Sequence, residues 1–549
     1  MRDAHICQAV FVVSRAVAQR VRLTSHRWRS IRSLPNLEKI YTGIKYQNIQ
    51  NEIRKYRRYA ILLFIATFVA YSYIYTTIII TNHTIPNSFP YKYPSFKTYV
   101  EGRWAADIFI QLTGGFGNQA TQFLLAILIK AVNAIMFIRI FGIDRSVIFV
   151  ICGLALALHP AFLDYYSFTV DSATFEAGDS LAIFSIIIIS LPINRAIRIG
   201  GAAILVLFCL AMYQPKLALC AVLLLLWGLA GLRHDEVTAG VRPVLHRLID
   251  GGLALLIGVL LYYVSVNLTV KLDMNERNHI NSLAVMVTQF VASYGEVASD
   301  FSRRIDYLPK PLTFLPGLCL LLGFAVLLVE AGRRGITAFA LAVAVMMLLP
   351  VAMQVSYVIN DGTWINSGRI LTSHGYILCF ALATTMAAPA TRHLGTMIGV
   401  ILVFFFFVVA NQESNAAALK TIFDVEKMNR IVARIESTVP DLSRGNFALV
   451  VIGELPLNRD QQPKRFANRL YGSQFATETF ISYRQTELVN FLLGRNAVGR
   501  PDSTEIAMAI ADSRTRQPWP APDSVFLLNR VIVVLLQSYA PEIPLTWQR

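Results

Sequence analysis

Residues 393–411 read HLGTMIGVILVFFFFVVAN and contain no Asp, Glu, Lys or Arg. As an α-helix rising about 1.5 Å per residue, this stretch is long enough to cross the roughly 30 Å hydrocarbon core of a bilayer. It also lacks the polar side that a surface helix of a soluble protein turns towards water. The stretch therefore predicts a membrane-spanning helix, and the same criterion applies to the rest of the chain.

Ten further segments meet this criterion. They are 59–81, 119–141, 146–163, 180–193, 197–213, 216–232, 250–268, 313–331, 336–358 and 370–387. Segment 180–193 is the shortest, and its separation from 197–213 rests on Pro192, Asn194 and Arg195. The chain of 549 residues is 55% hydrophobic and only 15% charged, whereas an average soluble domain has roughly 25% charged residues. We therefore predict an α-helical polytopic integral membrane protein with about eleven transmembrane helices, and exclude a purely soluble one.

The net charge of +16 is concentrated near the N-terminus. Residues 1–58 hold 13 Lys and Arg against 3 Asp and Glu, a difference of +10, directly before the first predicted span. Cytoplasmic loops of membrane proteins are enriched in Lys and Arg. With the N-terminus inside, the predicted inner loops hold ten such residues and the short outer loops hold five. The charge therefore indicates topology rather than a nucleic-acid partner, and it predicts a cytoplasmic N-terminus and, for an odd number of spans, an extracytoplasmic C-terminus.

This topology divides the chain into three predicted regions. Residues 1–58 form a basic cytoplasmic arm, predicted to be disordered, whose last residues hold the first span beside anionic lipid headgroups. Residues 59–412 form the transmembrane domain. Residues 413–549 have the composition of a soluble protein and form an extracytoplasmic domain.

Local patterns in this C-terminal region predict a small α/β domain. Apolar residues follow one helical stripe over 415–438, and further helices are predicted over 485–494 and 503–511. The apolar runs 447–453 and 531–536 are typical of buried strands.

The other long segment between spans, 269–312, contains apolar residues at helical spacing between Ile280 and Val297. This pattern predicts an amphipathic helix. Such a helix lies on the membrane surface, covers a cavity, or simply connects two spans.

Residues that can carry chemistry are concentrated in the predicted outer loops. Loop 82–104 carries several polar and charged residues, and loop 164–179 carries four acids and no basic residue. A carboxylate there could take a proton from an acceptor hydroxyl, while cations in neighbouring loops neutralise a departing lipid phosphate. The alternative is that the aromatic residues form the interfacial belt and the acids are solvated loop charges.

Eleven residues are candidates for this site. The candidate catalytic carboxylates are Glu101, Asp171 and Glu176. The candidates for binding the substrate and the lipid phosphate are His83, Arg103, Trp104, Asp107, Tyr213, Gln214, Lys216 and Arg369. In this hypothesis Arg103, Lys216 and Arg369 hold the phosphate, and Trp104 borders the sugar.

Three short motifs, in this order along the predicted spans, carry a family resemblance. They are Gly102-Arg103-Trp104, Tyr213-Gln214 and Gly368-Arg369. Over roughly residues 50–410 the chain resembles the bacterial Gtr type II O-antigen glucosyltransferases, polytopic enzymes of the GT-C class. The resemblance implies a hexosyltransferase of the bacterial inner membrane. Its donor would be a polyprenyl-phosphate-linked sugar, typically glucose, and its acceptor a lipid-linked or surface polysaccharide on the periplasmic side.

The chain departs from this family at one point. The resemblance implies an acidic pair early in the first outer loop, where residues 82–87 read NHTIPN. Glu101, an acid of loop 164–179, or His83 would then act as the base. No cofactor is specified, and a divalent metal is left open. The cysteines show neither disulfide nor zinc spacing.

Two other functions are alternatives to the transferase. A lipid-linked sugar transporter or flippase would have a continuous polar cavity into which Lys130 points. A non-catalytic partner in envelope assembly would use its C-terminal region for binding. All three would have membrane lipids as neighbours, and the transferase would also bind a lipid-linked donor and a glycan acceptor.

Overall fold

The computed structural model describes most of the chain, and the account below concerns these residues. They are 46–76, 94–114, 119–142, 146–168, 170–232, 241–270, 281–302, 308–359, 370–439, 441–442, 447–453 and 485–538. The chain divides into two compact units, Met1–Tyr59 and Ala60–Arg549. Within the first unit, residues 46–59 are helical. The predicted disordered arm otherwise lies outside the described residues.

The helices preceding the C-terminal sheet are numbered in chain order. They are α1 (Tyr46–Thr76), α2 (Pro94–Tyr99), α3 (Trp104–Leu112), α4 (Gln119–Ile140), α5 (Ser146–Ala157), α6 (Leu163–Ser167), α7 (Ser172–Ser190), α8 (Arg195–Met212), α9 (Lys216–Gly231), α10 (Arg242–Thr269), α11 (Leu283–Asp300), α12 (Leu315–Arg333), α13 (Ile336–Met353), α14 (Val355–Ile359), α15 (Ser373–Ala387) and α16 (Arg392–Thr438). Short 3-10 turns lie at Pro160–Phe162 and Lys310–Leu312.

Eight helical segments in the described part of the chain are long and apolar enough to cross a membrane. They are Tyr56–Ile74, Ala120–Ile140, Ser172–Ser190, Arg195–Met212, Arg242–Thr269, Lys310–Arg333, Ile336–Met353 and Arg392–Thr438. The pair Ser146–Ala157 and Pro160–Tyr166, bent by 41°, would make a ninth. The chain is thus a polytopic membrane protein, but the predicted count of about eleven exceeds these eight or nine.

When the bent pair is counted as the ninth span, two predicted spans account for the remaining difference. Helix α9 has 16 residues and α15 has 15, which is short of the about 20 residues that a bilayer core requires. Every α15 residue from Ser373 to Met386 is buried. A helix that is apolar on all sides also occurs in the centre of a helical bundle. Hydropathy alone does not distinguish such a central helix from a helix that faces lipid.

The boundary of α7 also differs from the prediction. Sequence analysis placed residues 164–179 in an outer loop and the span at 180–193, whereas α7 begins at Ser172. Glu176 and Asp179 therefore lie inside the helix, and both are fully buried. Hydropathy assigns these acids to a loop, because the lysines that pair with them belong to other helices.

The C-terminal residues form a four-stranded sheet with flanking helices. Its elements are β1 (Phe447–Ile452), α17 (Gln485–Leu492), β2 (Val498–Gly499), α18 (Ser503–Ser513), β3 (Val525–Leu528) and β4 (Val531–Leu535). The strand order is β2-β1-β4-β3, with β1 parallel to both neighbours and β3 antiparallel to β4.

Helix α16 joins the span to this sheet without a break. It has 47 residues, so the predicted boundary between residues 412 and 413 lies within one helix. Its later turns pack Met428, Ile431 and Ile435 into the core on one face of the sheet.

The amphipathic helix predicted within 269–312 is α11. Ser282 caps its N-terminus by accepting from the Val285 N–H, and the Tyr294 hydroxyl donates to the Met347 carbonyl at 2.6 Å. The side chains of Leu283 and Val291 remain exposed.

Close contact between α8 and α10 depends on a glycine. A Cβ added to Gly258 would lie 2.6 Å from a Val206 methyl and 2.9 Å from the Ala203 carbonyl oxygen. Small residues are common where membrane helices approach closely. A Cβ added to Gly252, in the same helix, would meet nothing within 4 Å.

We therefore expect Gly258→Ala and Gly252→Ala to differ in thermal stability. Overpacking at Gly258 costs about 1–3 kcal/mol, whereas Gly252→Ala gains up to about 1 kcal/mol of helix propensity. The melting temperatures of the detergent-solubilised variants measure this. Equal melting temperatures would contradict the close packing of α8 on α10.

Candidate active site

A left-handed turn after α2 sets the position of the first group of candidate residues. Gly102 has φ of 70°, a conformation that glycine adopts without steric penalty. The Arg103 N–H returns to donate to the Lys97 carbonyl at 2.8 Å. The turn thereby places Glu101 and Arg103 together at the N-terminus of α3.

Arg103 joins this turn to residues 213–215, which link α8 to α9. Its Nη1 lies 3.1 Å from Glu101 Oε2, and its Nε donates to Gln214 Oε1 at 2.8 Å. Gln214 Nε2 in turn donates to the Glu101 carbonyl at 2.5 Å, and the guanidinium lies 4.8 Å from the centroid of the Tyr213 ring. The structure thus brings four predicted site residues into direct contact.

The side chains of this ion pair reach solvent. That of Arg103 is 23% exposed and that of Glu101 is 15% exposed. A cation and a carboxylate are therefore accessible side by side at this end of the helical bundle.

Trp104 is held by packing. Its indole N–H donates to Ser265 Oγ at 3.1 Å, and its ring meets Phe208 edge-on with 5.2 Å between centroids. These contacts join the start of α3 to α8 and α10.

Asp171 occupies the N-cap position of α7 without making a side-chain capping hydrogen bond. Its carboxylate pairs instead with a cation that sequence reasoning did not select. Lys97 Nζ lies 2.5 Å from Asp171 Oδ1, and both side chains are buried. The pair fixes α2 against α7.

Asp107 lies one turn into α3 and is tied to α2. Its Oδ2 accepts from the Thr98 N–H at 3.0 Å and from the Thr98 hydroxyl. Its buried Oδ1 has no hydrogen-bond partner within the described part of the chain. Burial raises the pKa of the Asp107 carboxyl to about 6, although the bonds from Thr98 and the charge of Lys97 act in the opposite direction. We call the residues Lys97, Thr98, Glu101, Arg103, Asp107, Asp171, Tyr213 and Gln214 the Arg103 cluster.

A second polar group lies inside the bundle, where α4 meets α7. Lys130 Nζ is 3.4 Å from Glu176 Oε1 and lies over the ring of Phe162. Asn133 Nδ2 donates to the Glu176 carbonyl at 2.9 Å and to its Oε2 at 3.2 Å. Glu176 is fully buried.

Helix α7 carries a second buried carboxylate, Asp179, one turn after Glu176, and this carboxylate pairs with Lys216. Lys216 Nζ donates to Asp179 Oδ1 and to the Tyr165 hydroxyl. The hydroxyls of Tyr165 and Tyr376 donate to Asp179 at 3.2 and 3.1 Å. We call Lys130, Asn133, Tyr165, Glu176, Asp179, Lys216 and Tyr376 the Glu176 cluster.

The predicted site residues thus fall into two groups. Glu176 and Lys216 were predicted in outer loops, but they lie within helices and are buried in the Glu176 cluster. The remaining described candidates belong to the Arg103 cluster or, for Trp104, pack beside it. His83 and Arg369 lie outside the described residues.

Sequence reasoning did not select Lys97, Thr98 or Asp179. The signal for Asp179 was its spacing of three residues from Glu176, which places both carboxylates on one face of a helix.

The residues described by the structure include no group of three or more His, Cys, Asp or Glu placed to hold a metal ion. The acids of both clusters contact cations or hydrogen-bond donors instead. Because these acids already contact cations or hydrogen-bond donors, neither cluster offers a free set of ligands for a divalent cation.

A further buried pair joins α11 to α15. His374 Nε2 lies 3.1 Å from Asp300 Oδ2, and the His374 ring stacks on Phe301 with 5.2 Å between centroids. This contact fixes the C-terminal end of α11.

Comparison with known families gives one match. The family model described as glucosyl transferase GtrII matches residues 86–380, a segment that includes both clusters and every candidate site residue except His83. No curated protein and no solved structure matches the chain. Since the matched segment covers more than half of the 549 residues and agrees with the resemblance in the sequence, the chain belongs to the glucosyl transferase GtrII family and is a membrane glycosyltransferase.

Proposed function

We propose that the protein transfers a glucosyl group from a polyprenyl phosphate carrier to a lipid-linked or surface polysaccharide, such as an O-antigen. The observation that carries this proposal is the solvent-accessible pair of Arg103 and Glu101, 3.1 Å apart. The pair combines the two groups that the reaction needs, a cation for the lipid phosphate and a carboxylate for the acceptor proton.

The reaction would take place on the periplasmic face of the bacterial inner membrane. The end of the bundle opposite to the Arg103 cluster carries Arg195 and Arg198, which both pair with Asp250, as well as Arg247, which donates to the Ser190 carbonyl. Enrichment in Arg is typical of the cytoplasmic side. This supports a cytoplasmic N-terminus and a periplasmic C-terminus.

Arg103 is the proposed phosphate ligand. A guanidinium matches two phosphate oxygens with parallel N–H donors, and Gln214 and Tyr213 already hold it in place. A phosphate that binds Arg103 competes with Glu101 for the same cation. Donor binding would therefore release the Glu101 carboxylate from this ion pair at the moment when a base is required.

Glu101 is the proposed base. The acceptor oxygen attacks the anomeric carbon of the sugar, and the bond between that carbon and the phosphate oxygen breaks. The acceptor proton passes to Glu101, and the electron pair leaves with the polyprenyl phosphate, whose charge Arg103 stabilises. Asp171 and Glu176 are less suited to this role because both are buried against lysines.

Asp107 is a positioning residue in this scheme. Its carboxylate holds Thr98, the neighbour of Lys97, and so contributes to the position of α2 beside Asp171. Because the pKa of Asp107 is raised, its charged carboxylate destabilises the folded protein at neutral pH. Proteins often retain a destabilising ionisable group at a position where function requires it.

We expect Glu101→Gln to lower kcat by about 10²–10⁴-fold, the usual contribution of a general base. The KM for the donor should fall, because its phosphate no longer competes with a carboxylate for Arg103. Initial rates with a glucosyl polyprenyl phosphate and a glycan acceptor measure this. Glu487→Gln is the matched control because Glu487 pairs with Arg500 at 3.0 Å in the C-terminal sheet region. Full activity of Glu101→Gln would exclude Glu101 as the base.

The corresponding amides at the other two predicted carboxylates should behave differently. Asp171→Asn and Glu176→Gln each remove the negative charge that faces a buried lysine, which is strongly destabilising. Their main effect should be a lower yield and melting temperature of the folded protein. A normally stable Asp171→Asn variant with a greatly reduced kcat would make Asp171 the base instead.

We expect the effect of Asp107→Asn on stability to depend on pH. An unfolded Asp has a pKa of about 3.9, below the value of about 6 in the folded state. The stability that Asp107 contributes is therefore present below about pH 4 and is lost as the pH rises through about 6. The melting temperature of Asp107→Asn, relative to the unmodified protein, should increase between pH 4 and pH 7. A difference that stays constant over this range would contradict the raised pKa.

A further inference from the structure

Four arginines lie at the same end of helices α8 and α10. Arg195 Nε donates to Asp250 Oδ1 at 2.8 Å, and Arg198 Nη2 pairs with the other oxygen of this carboxylate. Arg247 and Arg242 precede Asp250 on α10 by three and eight residues, which places them within little more than two helical turns of it. We call Arg195, Arg198, Arg242 and Arg247 the inner arginine cluster.

Positive charge exceeds negative charge in the inner arginine cluster. Within the described part of the chain, Asp250 is the one carboxylate that pairs with any of the four arginines. Arg242 Nε donates instead to His246 Nε2 at 3.2 Å, and Arg247 donates to the Ser190 carbonyl at 3.2 Å. Four guanidinium groups beside one carboxylate leave a formal charge of +3.

The guanidinium groups also retain N–H donors that an anion could use. Among the residues that the structure describes, Arg198 Nε is buried without a hydrogen-bond partner. Arg195 uses its Nε for Asp250, yet its side chain is 62% exposed, and Arg242 is exposed as well. Phosphate oxygens satisfy such donors with charge-assisted hydrogen bonds.

The cluster borders a surface that faces lipid. On α10, Arg242, His246, Ile249 and Leu253 follow one another at intervals of four, three and four residues, so they share one face of the helix. All four side chains are exposed, and α10 is long and apolar enough to cross a membrane. Along this face the cation lies at the helix end and the apolar residues lie further into the bilayer.

We propose that the inner arginine cluster binds the phosphate of an anionic phospholipid, whose acyl chains lie along Ile249 and Leu253 of α10. The formal charge of +3 favours an anionic headgroup over a zwitterionic one, and the exposed apolar residues favour a lipid over a soluble anion. Basic pockets between helices on the cytoplasmic side of membrane proteins bind such headgroups. The bound phosphate would reduce the repulsion among the four cations and thereby stabilise the packing of α8 on α10.

This site is separate from the Arg103 cluster. Helix α8 begins at Arg195 and ends at Met212, next to Tyr213, and its 18 residues span about 27 Å. Lipid binding can therefore be measured independently of glucosyl transfer.

Lipid titration of full-length variants tests the assignment. Purified protein in a neutral detergent is titrated with phosphatidylglycerol or phosphatidylcholine, and binding is followed by native mass spectrometry and by melting temperature. Arg195→Gln and Arg242→Gln should each weaken phosphatidylglycerol binding about fivefold, and together about 30-fold. Arg198 still pairs with Asp250 in these variants. Arg333→Gln, at an exposed arginine at the end of α12, is the matched control and should leave binding unchanged.

Asp250→Asn gives an expectation of opposite sign. Its carboxylate competes with the lipid phosphate for Arg195 and Arg198, so its removal should strengthen phosphatidylglycerol binding and enlarge the rise in melting temperature that this lipid causes. A lower melting temperature without a gain in affinity would show that the ion pairs are only structural, and would overturn the assignment. If Asp250→Asn does not fold, the arginine variants decide the question.

Three other outcomes would also overturn the assignment. An equal loss of binding in Arg333→Gln would mean that any basic residue at this end of the bundle attracts the lipid. Equal binding of phosphatidylglycerol and phosphatidylcholine would mean that the cluster does not recognise the charge of the headgroup. An equal rise in melting temperature with the same concentration of inorganic phosphate would assign the cluster to a soluble anion.

Discussion

Charge pairing within a low-dielectric bundle is the constraint on which the rest of the structure depends. Helix α7 carries two carboxylates, Glu176 and Asp179, at fully buried positions. An isolated charge there would be strongly destabilising, but Lys130 from α4 and Lys216 from α9 supply equal opposite charge. Removing one partner of such a buried pair costs about 3–5 kcal/mol, so each pair specifies which helices may lie beside α7.

This pairing extends to the surface through the same helix. Asp171, at the N-terminus of α7, binds Lys97 of α2, so the helix held by the Glu176 cluster also holds the segment that leads to Arg103. Gln214, two residues before Lys216, binds Arg103. Both lysine pairs of the Glu176 cluster thus lie on elements that also support the Arg103 cluster. This explains how a fold built from apolar helices can hold Arg103, the proposed phosphate ligand, in a defined position.

Much of this arrangement could be predicted from the sequence, for identifiable reasons. The spans were recognisable because long apolar runs such as 393–411 have few structures open to them other than a membrane-spanning helix. The family resemblance was recognisable from the short motifs that contain Arg103 and Gln214. The position of Glu176 and Asp179 could not be predicted, because hydropathy counts a charge as a break in a span. The compensating lysines are distant in sequence, 37 residues away in the case of Asp179. The burial of α15 inside the bundle could not be predicted for a related reason. A helix surrounded by other helices and a helix surrounded by lipid are both composed of apolar residues.

Glucosyl transfer by the Arg103 cluster, as proposed here, would alter the structure of the surface glycan, which can be determined directly. The glycan would be compared between a strain that lacks this protein and the same strain carrying either the unmodified chain or Glu101→Gln. We expect the deletion to remove one side-branch hexose, the unmodified chain to restore it, and Glu101→Gln to leave it missing. An unchanged glycan in the deletion strain, or full restoration by Glu101→Gln, would contradict the proposal.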